Sequence, residues 1–322
     1  MTPKSLVSVI ICTCNRADSL QQTLAAFGKV TIPAGWEAEL IVVDNNSIDK
    51  TSLLVKQVQL SNLPICWLYE ARAGKSNALN AGMACAKGEI LLFTDDDVIP
   101  SADWMEKMVA HLQKPDCDAV VGRIDLAVNL RRPWLGTRYE ALLGVLDFKS
   151  GPVELVGANA GIRKAVLQKV PQYDPELGPG ALGWGEDTLF SHQLEHAGFK
   201  VKYAEDVRVI HQPGKSRLLR RAWLGAASNL GRTNAYLQYH WEHNDIHATC
   251  ARFWWLKLKL WLRRRLQPPP ALDIEGCPEW ELSYVWQMEF NRQFCRERRR
   301  PRNYEPRGLT KLAASKRLNP PT

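Results

Sequence analysis

Short apolar runs that end in polar residues recur four times in the first hundred positions. Val7–Thr13 (VSVIICT), Glu39–Asp44 (ELIVVD), Ile65–Tyr69 and Ile90–Phe93 are rich in β-branched and bulky residues without strict alternation. Such runs suit strands buried on both faces of a parallel sheet. Between them apolar residues recur at helical spacing. Asp18 is the expected N-cap of a helix burying Leu20, Leu24 and Phe27. Asp49 opens a second helix with Leu53, Leu54 and Val58, and Ser76–Ala86 is an Ala-rich third. The order β-α-β-α-β-α-β predicts an α/β fold built on a doubly wound, mostly parallel sheet.

Further along, Trp104–Leu112 reads as an amphipathic helix, Ala119–Ile124 as a strand, Thr188–His196 as a helix and Phe199–His211 as a last strand. Residues 131–152 read as a long, partly mobile connection. A helix over Ser216–Tyr239 is expected next, then the aromatic and basic run 253–265. Pro268–Pro270 break the chain, and the cationic segment Arg296–Arg302 is expected to be exposed, with disorder at the end. The expected division is a body over 1–212 and a helical C-terminal extension over 213–322.

The polar strand ends carry the chemistry, because in such sheets ligands bind beyond the carboxyl ends of the strands. These ends are Thr13 and Asn15, Asp44 and Asn45, Arg72 and Lys75, and Asp95-Asp96-Asp97. Three successive carboxylates repel one another unless a cation holds them. Mg²⁺ or Mn²⁺, which also partner phosphates, suit such a site. An isolated Asp triplet reads equally as an acidic cap for the following helix, but four polar strand ends converging on one edge weigh against that. A dinucleotide or P-loop reading fails on glycines: Thr13-Cys14-Asn15-Arg16 has none, and Gly74-Lys75-Ser76 lacks the upstream one. Phosphate must then be held by metal and by Arg or Lys.

A second feature is Glu186-Asp187, which follows the glycine-rich stretch from Gly178 to Gly185. The pair reads as helix N-terminal charge, worth ~0.3–1 kcal/mol, or as a general base at a pocket mouth. Trp184 beside it offers an apolar platform. The small residues of Val156–Gly161 would let backbone approach a ligand closely.

Composition changes the picture in two places. The net charge is +8, yet residues 251–322 hold 16 Lys/Arg against 7 Asp/Glu, while the preceding 250 hold 26 against 27. The basic character therefore belongs to the extension. Eight cysteines include no CxxC pair, so reduced thiols and a cytoplasmic setting are expected. Leu6–Cys12 is too short to span a membrane. Residues 253–265 (FWWLKLKLWLRRR) suit either packing on the body or peripheral contact with an anionic membrane, at the inner face of the cell membrane. A non-enzymatic nucleic-acid-binding protein using the basic tail is the reading from another class. No helix-turn-helix, zinc finger or RNA-binding signature supports it.

The motifs in their order resemble those of the family 2 glycosyltransferases. VSVIICTCNR, IVVDNNSIDKT, GKSNALNAGMACAKGEILLFTDDDV, VGANAGIRKAVL and GWGEDTLFSHQLEHAGFKV carry the likeness from about Val7 to about His211. It implies a GT-A, Rossmann-like fold with a nucleotide-binding half over 1–124 and an acceptor-binding half over 125–212. A nucleotidyltransferase on a similar sheet is a further alternative. By the same resemblance, Thr13, Asn15, Arg16, Asp44, Asn46, Arg72, Lys75, Asp95 and Asp96 would bind a nucleotide-diphospho-sugar, with uridine favoured. Asp97, Asp95 and His211 would hold Mn²⁺ or Mg²⁺, and Asn159, Trp184 and Gly185 would line the donor and acceptor pocket. Asp187 would act as base in an inverting transfer to a glycan or lipid-linked acceptor, supported by Glu186. Asp96 is the aspartate expected to tolerate change.

Overall fold

The computed structural model describes residues 4–145, 153–313 and 315. They divide into two compact units, Met1–Pro175 with Glu186–Pro213, and Glu176–Gly185 with Gly214–Thr322. The glycine-rich stretch ahead of Glu186 thus belongs to the second unit.

The first unit is built on one eight-stranded sheet. Its elements are β1 (Ser5–Thr13), α1 (Ala17–Phe27), β2 (Trp36–Asp44), α2 (Thr51–Gln57), β3 (Ile65–Tyr69), α3 (Lys75–Cys85), β4 (Ile90–Asp95) and β5 (Val98–Pro100). There follow α4 (Trp104–Leu112), β6 (Ala119–Leu126), α5 (Thr137–Leu142), β7 (Ala160–Arg163), α6 (Glu186–His196) and β8 (Val201–His211). The strand order is β3-β2-β1-β4-β7-β6-β8-β5. The four strands read from the apolar runs pair in parallel, and Val7, Val9, Ile10 and Ile11 of β1 are fully buried because helices cover both faces. On one face Leu20, Leu24 and Phe27 of α1 join a core with Trp104, and the Phe27 ring meets Trp104 edge-on at 5.7 Å. On the other, a Cβ on Gly82 would lie 2.7 Å from Ile10 Cγ2, so this glycine lets α3 press onto β1.

Register then positions the chemistry. Strand β1 lies between β2 and β4, with Thr13 opposite Asp44 and Cys12 opposite Asp95. The strand order reverses at β1, which opens a crevice at the carboxyl ends of these strands. At the sheet's far edge β5 pairs antiparallel with β8, Val98 opposite His211, and Gln212 N–H donates to Asp97 O at 2.8 Å. That pairing brings His211 to the aspartate turn from 114 positions away in sequence.

Several expectations need correction. Arg16, not Asp18, stands at the N-cap of α1, and Asp18 lies in its first turn. Asp49 accepts Thr51 N–H at 2.9 Å, and α2 starts at Thr51. Of the small residues of Val156–Gly161, Ala160 and Gly161 belong to β7, which runs antiparallel between β4 and β6, and Gly157–Asn159 form a short helical turn before it. Gly161 is small for the sheet's sake, since a Cβ there would meet Leu92 Cδ2 at 2.7 Å. The connection over 131–152 contains α5, and its residues 146–152 lie outside the described residues.

The second unit holds α7 (Arg220–Tyr236), continued by a π-helical turn over Leu237–Trp241, α8 (Thr249–Leu266) and α9 (Glu279–Glu297). Helices α7 and α9 approach closely, because a Cβ on Gly231 would lie 2.4 Å from Trp286 O. Buried Glu281 accepts both Arg220, at 2.8 and 2.5 Å, and Arg264 Nε, at 2.7 Å. Cys250 and Cys295 form a disulfide, contrary to the expectation that every thiol is reduced. Packing sets the start of α8 beside the end of α9, with 5.6 Å between their Cα atoms, which the 45-residue separation conceals.

The cationic segment is exposed only in part, at Arg296, Arg299 and Pro301. Arg302 is buried, lies over the Tyr239 ring and donates to Tyr239 O. Arg300 and Lys311 reach Glu176 at 2.6 and 2.7 Å, and Asn303 Nδ2 donates to it at 3.0 Å. The end expected to be disordered, from 316 on, lies outside the described residues. Among the described residues no helix is long and apolar enough to cross a membrane.

Candidate active site

The turn from β4 to β5 carries the three aspartates, and each has its own partners. Asp95 Oδ1 accepts Lys75 Nζ at 2.6 Å. Asp96 accepts Thr13 Oγ1 at 2.8 Å and Arg16 Nη1 at 2.9 Å, and its backbone carbonyl accepts Thr23 Oγ1 at 3.0 Å. The same Arg16 nitrogen donates to Asp97 Oδ2 at 2.6 Å, and His211 Nε2 lies 3.2 Å from Asp97 Oδ1. Repulsion among the carboxylates is thus offset by two cations and an imidazole. Asp96, expected to be the tolerant position, is buried and the most tethered of the three. Burial pushes its carboxyl up to about 6 even against the neighbouring Arg16 charge. Burial acts on Asp97 in the same direction, but the His211 contact and Arg16 outweigh it and hold Asp97 well below the usual carboxylate range.

His211 Nδ1 lies 2.7 Å from Leu143 O. A carbonyl only accepts, so Nδ1 carries a proton, and Nε2 is the ring nitrogen that faces Asp97. Donation from the second ring nitrogen to a backbone carbonyl is how metal-ligating histidines are oriented. Among the described residues no three His, Cys, Asp or Glu side chains are grouped as a metal site. Asp95, expected as a ligand, is engaged by Lys75 instead. One carboxylate and one imidazole still fit Mn²⁺ or Mg²⁺, which bind with few protein ligands when substrate phosphates complete the shell.

A second cluster lies around Lys75, whose side chain is only 18% exposed. Its Nζ is also 3.9 Å from Glu186 Oε1. Burial opposes its charge, yet Asp95, Asp187 and Glu186 together hold it well above the ordinary lysine value. Glu186 is buried, and burial followed by the Asp187 charge pushes it up to about 8. Asp187 is raised by burial as well, opposed by Lys75 and by a hydrogen bond from Gly157. Gly157 N–H donates to Asp187 Oδ2 at 2.8 Å, while the buried Oδ1 has no hydrogen-bond partner among the described residues. A Cβ on Gly157 would lie 3.1 Å from Oδ2, so the glycine lets the carboxylate approach the backbone.

The ends of β1 to β3 form the third part. Asp44 is buried and accepts Ser47 N–H at 3.0 Å. Asn15 and Asn46 adopt left-handed backbone, with φ of 54° and 63°. Asn15 clamps the second loop, its N–H donating to Ser47 Oγ at 2.9 Å and its Oδ1 accepting Ile48 N–H at 2.8 Å. Asn46 Oδ1 accepts Tyr69 Oη at 2.7 Å. Arg72 is exposed and pairs bidentately with Glu70 at 3.0 and 2.8 Å.

Two pocket expectations take a different form. Asn159 is fully buried and structural. Its Oδ1 accepts Trp104 Nε1 at 2.8 Å, and its Nδ2 donates to Arg123 O and Val207 O at 2.9 and 3.1 Å. Trp184 and Gly185 lie in the second unit, where Trp184 O accepts Thr233 Oγ1 at 2.7 Å. The sequence placed Asn45 at a strand end but gave it no role of its own. This buried residue accepts Gly74 N–H at 2.8 Å and donates to Glu70 O and Arg72 O, shaping the turn from which Lys75 projects. Its place directly after a buried strand's terminal Asp was the available signal. Nothing in the sequence pointed to Gly157 as the donor to Asp187.

Residues 8–170, about half of the chain, match the family model described as Glycosyl transferase family 2. The chain belongs to glycosyltransferase family 2. Relatives of this family 2 chain include Glycosyltransferase AglE of Haloferax volcanii, 29% identical over 212 residues, 64% of this chain and 66% of that protein. Probable glycosyltransferase YdaM of Bacillus subtilis is 26% identical over 211 residues, 61% of this chain and 48% of that protein. The chain thus spans under two thirds of these relatives' lengths. Its fold is similar to mannosyltransferase PcManGT from Pyrobaculum calidifontis, solved with GDP-Man and Mn²⁺, at TM-score 0.53 and 18% identity over 90% of this chain and 74% of that one. It is also similar to S. aureus TarS 1–349 in complex with UDP, at TM-score 0.51 and 16% identity over 89% and 88%. These likenesses identify the sheet as a GT-A glycosyltransferase fold.

Proposed function

We propose that this family 2 chain transfers a sugar from a nucleotide-diphospho-sugar, UDP-linked, to an acceptor hydroxyl on a glycan or lipid-linked intermediate, with inversion at the anomeric carbon. The reading is carried by Asp187 Oδ1, a buried carboxylate oxygen without a hydrogen-bond partner among the described residues, on a side chain whose other oxygen is fixed by Gly157 N–H. A general base needs an ionised oxygen with a free lone pair, held in place. Burial raises Glu186, to about 8, and Asp187 as well, while the Lys75 charge opposes the rise and favours the ionised form of each.

Asp187 Oδ1 takes the proton of the acceptor hydroxyl as that oxygen bonds to the anomeric carbon. The bond from that carbon to the diphosphate oxygen breaks on the opposite face, and the electron pair leaves with the nucleoside diphosphate. A single displacement inverts the centre. A divalent metal held by Asp97 and His211 would supply Lewis-acid neutralisation of the diphosphate's developing charge. Thr13, Asn15, Asp44 and Asn46 at the ends of β1 and β2 would receive the base and ribose, with Arg72 beside them. Lys75 and Asp95 hold each other in place between the donor side and the base. The nucleotide complexes of the solved relatives lend this donor class support.

The test is a thermal-shift panel of UDP-, GDP- and dTDP-sugars with and without Mn²⁺. Ligand at about 100 times its dissociation constant should stabilise by ~2.7 kcal/mol. A shift with UDP-sugars that needs Mn²⁺ supports the reading, and no shift with any nucleotide-sugar sinks it.

A further inference from the structure

Helix α8 has two apolar faces, and only one is buried among the described residues. Leu256 and Leu260, four apart, are buried in the second unit. On the opposite side of the same helix Trp254, Leu258, Trp261 and Leu262 recur at three- and four-residue spacing, with exposures of 63%, 56%, 53% and 46%. A surface helix normally turns charge to water on that side, so a contiguous exposed apolar ridge marks an interaction surface.

The ridge's chemistry selects its occupant. Residues 249–266 contain no Asp or Glu. Lys257 Nζ lies 4.8 Å from the Trp254 ring, Lys259 Nζ 3.5 Å from Trp255, and the Arg265 guanidinium 5.3 Å from Trp261. Each exposed tryptophan thus carries its own cation. Indole rings favour the headgroup level of a bilayer, and lysine and arginine stems lie along apolar surface with their charges at the lipid phosphates. A second copy of the same face would bring these cations against one another without a carboxylate between them.

We infer that α8 lies in the plane of an anionic lipid surface, inserting Trp254, Leu258 and Trp261 to a depth of about 5–10 Å and placing Lys257, Lys259 and Arg265 on lipid phosphates. The helix docks and does not span. This surface is independent of the donor and base assignments, and its variants spare the strand-end cluster.

The full chain is floated with vesicles of phosphatidylcholine alone, and of equal parts phosphatidylcholine and phosphatidylglycerol, at low and high salt. Binding to the anionic vesicles only, weakened by salt, is expected. Trp254→Ser/Leu258→Ser/Trp261→Ser should weaken it at least about tenfold with an unchanged circular-dichroism spectrum and Mn²⁺-dependent nucleotide binding. Lys257→Gln/Lys259→Gln should weaken it about 25-fold, at roughly fivefold per charge. Absence of wild-type flotation, or equal flotation of the triple variant, overturns the inference. So does light scattering that shows a wild-type dimer which the triple variant disperses, because the ridge would then be covered by a second copy.

Discussion

His211 Nε2 stands 3.2 Å from Asp97 Oδ1 because β5 and β8 pair with Val98 opposite His211. A three-residue strand directly after the aspartate triplet thus links the turn to the last strand of the sheet. The pairing selects Asp97, among the three, as the carboxylate that faces an imidazole.

His211→Ala should weaken Mn²⁺-dependent nucleotide binding about 10–100-fold, read by titration calorimetry, and Asp97→Asn should abolish it. Asp97 also links stability to pH. Its folded value lies below the ordinary 3.8, so its contribution is present above that value and is lost only as pH falls through the lower one. Unaltered metal dependence in both variants would remove the metal assignment.

Asp187→Asn should leave the donor-induced thermal shift intact and slow transfer about 10²–10⁴-fold. The two readouts separate binding from proton removal. Near-normal turnover in this variant would mean that another group takes the acceptor proton.

Glu186 predicts a pH profile of opposite sign. Burial, then Asp187, pushes its folded value up to about 8 from an ordinary 4.5. Between those values the unfolded chain has released a proton that the folded protein keeps, so stability falls as pH rises through that window. Glu186→Gln should flatten the dependence of Tm on pH between about 4.5 and 8, gaining most on wild type at the alkaline end. Parallel wild-type and variant curves would show that Glu186 titrates normally.

Asn159→Ala should destabilise by roughly 2–4 kcal/mol, since Trp104 Nε1, Arg123 O and Val207 O all lose a buried partner. Where the variant is still folded, nucleotide affinity should be unchanged. A selective loss of nucleotide affinity would return Asn159 to the pocket.

What could be read from the sequence depended on distance along the chain. The runs ending at Thr13, Asp44 and Asp95 were legible because strands buried on both faces need no partner's identity to reveal themselves. The four residues of β7 and three of β5 were not, being too short to show a period. Asn159 and Gly161 looked like ligand-facing small and polar residues, but an amide that joins three elements and a glycine required by Leu92 leave the same local trace. Lys75 was read as a phosphate neighbour, whereas its carboxylate partners are 20 and 111 positions away.

Glu176 opens the glycine-rich stretch that runs directly into Glu186 and Asp187, and Arg300, Asn303 and Lys311 hold it. The family match ends at residue 170. A recombinant fragment trimmed to the matched region, or cut after the last strand, would therefore lose the moorings of the segment leading to the proposed base. The C-terminal hundred residues belong in any expression boundary, and a grafting experiment that swaps only the matched region between relatives should carry Glu176 together with its three distant partners.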